Sequence, residues 1–216
     1  VASYLILGAG KFGRLALERL ARQHREAACW VVDRDPAALA AARAETRAGH
    51  FIEQDAVAFL QEHLAKYPWD WLIPMVPVHV AHAYLAADPR VAREWQAVEV
   101  PEAVGAGVKM ARRGPQGELF LSRAAHRCPD DCEAGPICAV SGESRETPLY
   151  EELAALALPG FHLKMVPSRQ LAPGVGGYPP GELLTLARTL ADCRTKVLIA
   201  TACRCHGVVH GLKRRE

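Results

Sequence analysis

The run Tyr4-Leu5-Ile6-Leu7-Gly8-Ala9-Gly10-Lys11-Phe12-Gly13 constrains this chain more than any other stretch. A short apolar strand runs into G-x-G-x-x-G, and a helical pattern follows at once. A second apolar strand, Cys29-Trp30-Val31-Val32-Asp33, ends in a carboxylate twenty residues past Gly13. That embedding describes a strand–helix–strand unit built to hold a dinucleotide. Gly8 lets the chain turn sharply out of the strand. Gly10 leaves room for a pyrophosphate, and Gly13 lets the helix lie close to the sheet. The helix opening at Lys11 and Phe12 turns free N–H groups and a positive dipole end toward the phosphates. Asp33 can accept hydrogen bonds from both adenosine ribose hydroxyls and repels a 2′-phosphate, which favours NAD(H). Arg34 beside it would suit that extra phosphate. The alternative is a tight glycine-packed fold that holds no nucleotide.

Strand and helix patterns alternate through the first hundred residues. Strands are expected at Ser3–Leu7, Ala28–Asp33, His50–Glu53 and Trp69–Met75, with a fifth at Gln96–Val100. Helices are expected at Lys11–Gln23, after Asp35-Pro36, at Ala56–Tyr67 and at Val78–Ala87. The expected fold class is α/β: a doubly wound parallel-sheet Rossmann domain over 1–102 and a smaller Cys-rich α/β part over 103–216. Asp55, where the chain leaves the third strand, is a candidate contact to adenine or else a helix N-cap. His79 and His82 lie three apart on the helix that follows Pro77, close to the sheet edge where such folds bind ligands.

Half the 216 residues are hydrophobic, so a substantial core is available, and a net charge of +2 argues against nucleic acid as the main partner. No apolar run approaches a membrane span, and the first strand begins with no room for a signal peptide, so a cytoplasmic location is expected. Seven cysteines in a reducing compartment then point to metal ligation or redox chemistry rather than a disulfide framework. Cys128, Cys132 and Cys138 form C-x3-C-x5-C, and Cys203-x-Cys205-His206 follows some sixty-five residues later. Thiolates are soft anionic donors suited to zinc or to a [4Fe–4S] cluster. The competing readings are buried small hydrophobes, a disulfide, or a thiol pair that senses redox state. Cys29 and Cys193 read as structural.

A second glycine-rich stretch, Gly174–Gly177, follows Arg169. Its N–H groups and the arginine are candidates to receive an anionic substrate group, with a stiffened turn as the alternative. It lacks the lysine and hydroxyl of a phosphate-binding P-loop. His162, Lys164, Tyr178, His79 and His206 are further acid–base candidates that no spacing singles out.

On Gly8, Gly10, Gly13, Asp33 and Asp55, the first hundred residues resemble the NAD-binding Rossmann domains of potassium-transport regulators of the TrkA-N type. They are also similar to the cofactor domains of saccharopine dehydrogenase-like and siroheme-synthase-like enzymes. The resemblance implies a cofactor rather than a reaction. The expectation is an NAD(H)-dependent oxidoreductase that acts on a small molecule and carries a cysteine-ligated metal or cluster. The alternative is a non-catalytic NAD(H)-responsive protein with a structural zinc. A homodimer is left open in both.

Overall fold

In the computed structural model, which describes residues 1–46 and 49–215, four strands form a wholly parallel sheet. They are β1 (Ser3–Leu7), β2 (Ala28–Asp33), β3 (His50–Glu53) and β4 (Trp71–Pro74), in the order β3-β2-β1-β4. The crossovers are α1 (Lys11–Gln23), α2 (Pro36–Glu45) and α3 (Ala56–His63). Asp35 caps α2 by accepting from Ala37 N at 2.9 Å, with Pro36 in the first turn. Asp55 caps α3 by accepting from Val57 N and Ala58 N, so its carboxylate has a structural task. The expected helix over Ala56–Tyr67 ends at His63, and the long apolar run of the fourth strand pairs only over Trp71–Pro74.

After α4 (Val80–Ala86) and α5 (Pro89–Glu94) the chain departs from the doubly wound expectation. β5 (Trp95–Val98) leaves the parallel sheet and enters a second, mixed sheet. That sheet comprises β6 (Met110–Arg113), β7 (Leu119–Ser122), β8 (Phe161–Pro167), β11 (Lys196–Ala202) and β12 (His206–Arg214), in the order β6-β7-β12-β11-β8. β5 pairs antiparallel with the second half of β12, on the edge whose first half holds β7. β8 and β11 run parallel. The glycine-rich segment 103–116 contributes β6 to this sheet. Between β8 and β11 lie a hairpin, β9 (Arg169–Ala172) with β10 (Val175–Gly177), and helix α7 (Gly181–Asp192). A short helix α6 (Leu149–Ala154) covers the mixed sheet.

One apolar core joins the two sheets. Leu5, Leu7 and Leu72 pack with Val166, Tyr178, Leu183, Ile199 and Leu212, drawn from both halves of the chain. Tyr178 also bridges directly to Leu72, its N–H donating to Leu72 O at 3.0 Å and its carbonyl accepting from Leu72 N at 2.8 Å. On the other face of the parallel sheet, α1 and the β9–β10 hairpin bury Ala16, Leu17, Leu20, Ala172 and Val175. Among the described residues, no helix is long and apolar enough to cross a membrane.

Candidate functional site

The glycine turn forms as its chemistry requires. Gly8 has φ +104, and a Cβ there would lie 2.7 Å from Met75 O, so only glycine suits this exit from β1. A Cβ on Gly13 would fall 1.9 Å from Gly8 O, which shows how closely α1 approaches the turn. Gly10 is different: a Cβ there would meet nothing within 4 Å. It is the N-cap of α1 and supplies no capping side chain, and the first turn has no acidic residue. The helix thus begins with uncapped donors beside open space. Asp33 accepts from Ala9 N at 2.6 Å and from Asp35 N at 2.9 Å, so it braces the turn from the end of β2. Each oxygen keeps a further lone pair. Arg34 is exposed.

This turn lies where the strand order reverses, β1 leading one way to β2 and β4 standing on its other side. Open α/β sheets bind ligands in the crevice at such a point. Here the crevice is the wall of a cavity of about 820 Å³, to which Phe12, Pro74 and Met75 contribute from the parallel sheet. Ser168 from the end of β8 and Cys203, Cys205 and His206 from the β11–β12 turn line it from the mixed sheet. The carboxyl ends of both parallel strand pairs therefore open into one space.

The loop with Cys128 and Cys132 closes the cavity from above. Asp130 is paired with Lys11 at 2.5 Å, which draws the loop onto the start of α1. Arg19 donates to Asp130 O at 2.8 Å and to Pro173 O at 2.6 Å, and Gly174 N donates to Cys132 O at 2.8 Å. The N–H of Gly174 is thus spent on holding the cysteine loop, and Gly174–Gly177 forms a hairpin rather than an open anion nest. Arg169 is exposed and lines the cavity.

All seven cysteines are free thiols. Three of them, Cys128, Cys138 and Cys205, gather around one buried guanidinium, that of Arg145, whose Nη1 donates to Cys205 Sγ at 2.9 Å. Cys128 Sγ stands 3.7 Å from His206 Nε2, and Cys203 Sγ 4.0 Å from its Nδ1. Cys138 Sγ is 3.8 Å from His126 Nε2. Burial raises the Cys128 thiol, and it raises Cys205 despite the hydrogen bond from Arg145. Cys138 is held down to about 6 by hydrogen bonds from the Ser141 hydroxyl and N–H, with help from the charge of Arg145. Burial, then Arg145, lowers His206. Among the described residues, no group of three or more His, Cys, Asp or Glu side chains stands arranged to hold a metal ion. Cys29 is buried in β2, and burial raises it to about 11, while Cys193 caps the end of α7.

His79 is drawn away from the cavity. Its Nδ1 lies 2.9 Å from His210 Nδ1 and its Nε2 2.9 Å from Thr201 Oγ1, while His82 stacks on His210 at 3.9 Å. Tyr178 is also removed from the cavity walls, fully buried with its hydroxyl unpartnered. Arg145 and His210 were invisible to sequence reasoning, one a lone arginine in a polar loop and the other an internal residue of a strand.

Two sheets sharing a cavity at their carboxyl edges define the class of this protein, and comparison places it further. Residues 68–215 match the family described as AF_1314_C, uncharacterized protein, C-terminal domain, and the chain belongs to that family. It is also 29% identical over 221 residues to an uncharacterized protein of Archaeoglobus fulgidus, covering 97% of this chain and 99% of that protein. No solved structure matches. The resemblance to TrkA-N, saccharopine dehydrogenase-like and siroheme-synthase-like domains is thereby corrected, since the matched family is a different one. The physical reason is that G-x-G-x-x-G specifies a strand-to-helix turn, and such a turn is too short and local to define a lineage.

Proposed function

We propose that the protein binds NAD(H) at the β1–α1 turn and acts as an oxidoreductase on a small molecule held in the thiol-lined cavity. The observation that carries this reading is the shared wall: Phe12 and Met75, beside the glycine turn, face the same space as Cys128, Cys132, Cys203 and Cys205. In this reading the β3-β2-β1-β4 sheet works as a Rossmann-type half, with Gly8, Gly10 and the first turn of α1 receiving the pyrophosphate. The spare lone pairs of Asp33 receive ribose hydroxyls. Bound nicotinamide supplies hydride chemistry. The chain's own part is to orient the substrate, exclude water through the cysteine loop, and offer His206 at the cavity wall as a proton carrier.

Gly10→Ala provides the test. Its new methyl meets no protein atom, so thermal stability should stay within about 1 kcal/mol of the parent. It occupies the space the pyrophosphate needs, so NAD(H) affinity measured by calorimetry should fall at least tenfold, and Asp33→Asn should weaken it as well. Saturable binding that neither substitution changes would overturn the assignment. Binding without turnover of any small carbonyl or alcohol would leave a nucleotide-responsive regulator.

A second reading gives the thiols a metal. The 3.7 Å between Cys128 Sγ and His206 Nε2 is close to the roughly 3.6 Å edge of a zinc tetrahedron with sulfur and nitrogen ligands. Cys132, Cys138, Cys203 and Cys205 supply further donors to zinc or to a [4Fe–4S] cluster after rotamer changes. Metal analysis and a visible spectrum of protein purified without oxygen decide it. One zinc or four irons per chain supports ligation; none, with all thiols titratable, refutes it.

A further inference from the structure

We infer that Arg145 is the anchor of an oxyanion-binding site in the cavity, one that takes the carboxylate or phosphate group of a small molecule. Arg145 is only 5% exposed, yet it lines the cavity. Its Nη1 donates to Cys205 Sγ, while Nη2 is buried with no hydrogen-bond partner. A guanidinium stays charged at any ordinary pH, and a buried charge is costly unless something answers it. Among the described residues no carboxylate forms an ion pair with Arg145. Glu143 and Glu152, which line a second recess with it, are engaged by Lys109 and Arg123.

The residue is held in place rather than left over. Its N–H donates to Pro136 O, its carbonyl accepts from Arg204 Nη1 at 2.6 Å, and the bridge between Ile137 and Ser144 closes the hairpin that delivers it. Three more arginines, Arg127, Arg169 and Arg204, line the same cavity. The one carboxylate on those walls, Asp130, is already paired with Lys11. The interior is therefore cationic, with the Arg145 guanidinium bonded to the thiol of Cys205 through Nη1 and its Nη2 left without a protein partner. Carboxylate and phosphate oxygens suit such a fork.

The inference goes beyond nucleotide binding and does not require it. Inorganic phosphate and pyruvate, titrated separately by calorimetry at constant ionic strength, distinguish the two anion chemistries. At least one should give a saturable isotherm with the parent protein. Arg145→Gln should weaken it at least tenfold. Arg145→Lys keeps the charge without the fork, and should weaken it as well should the glutamine variant fail to fold. Gly10→Ala should bind the same anion unchanged, which separates this site from the α1 N-terminus. No binding of either anion to the parent, or equal binding by a folded Arg145 variant, overturns the inference. Loss of binding in Gly10→Ala but not in the Arg145 variants moves the anion to the helix terminus and also overturns it.

Discussion

The two sheets of this protein differ in how far along the chain their partners lie. In the parallel sheet, β1, β2 and β3 are joined by single helices and pair across one crossover each, and only β4 returns from farther along the chain to β1. In the mixed sheet, β12 pairs with β11 next to it, but also with β7 and with β5, whose register matches Gly211 to Val98 and Arg214 to Trp95. A Cβ on Gly211 would lie 2.4 Å from Val98 O, so this distant pairing depends on a close backbone approach. The lesson extends to the sites. The glycine turn is assembled from residues a few positions apart, whereas the cavity of thiols and Arg145 exists only because β8, β11 and the cysteine loop converge.

The largest effect that would sharpen this contrast is expected at the local end. Gly13→Ala drives a methyl to 1.9 Å from Gly8 O, so α1 must lift from the sheet. A loss of about 3 kcal/mol or more is expected from denaturant unfolding. A loss under about 1 kcal/mol would mean that the turn is less tightly built than the geometry shows.

The histidine cluster tests the non-local end. Burial, with repulsion from neighbouring imidazoles, holds His79 well below 6.5 and lowers His82 to about 4; burial also lowers His210. Glu118 is the one charged neighbour that works the other way, on His210. Because the folded values lie below the unfolded value, the unfolded chain binds more protons in this window. Stability is therefore complete above about pH 6.5 and is lost as pH falls toward 4. For His82 alone the expected loss is roughly 3 kcal/mol. A thermal midpoint flat between those pH values would contradict the burial of the cluster.

The smallest effect has the opposite sign. Tyr178 carries a buried hydroxyl without a partner at the junction between the sheets. Tyr178→Phe should leave stability unchanged or raise it by about 1 kcal/mol, because removing an unsatisfied buried polar group relieves its desolvation cost. A clear loss would reveal a partner for that hydroxyl and give the junction a polar role.

Much of the parallel sheet was legible in sequence because apolar strands, caps and glycines act over a few residues. Ser3–Leu7, Lys11–Gln23, Ala28–Asp33 and His50–Glu53 fall where the pattern put them. The strand near Gln96–Val100 was recognisable as a strand, but its sheet was not, since periodicity carries no address for a partner. The cysteines drew notice by their spacing. Arg145 drew none, because only a folded chain distinguishes a buried arginine from a solvated one.

By itself, then, the sequence determined the turn at Gly8–Gly13, the cap at Asp35, and the alternation of elements through β4. Those are matters of φ/ψ freedom, side-chain reach and apolar period, all settled within a few residues. Tertiary structure alone decided that β5 crosses to β12, that His79 joins His210, and that Cys128, Cys138 and Cys205 surround the Arg145 guanidinium. These follow from burying apolar surface between two sheets at once, a condition that couples residues more than a hundred positions apart.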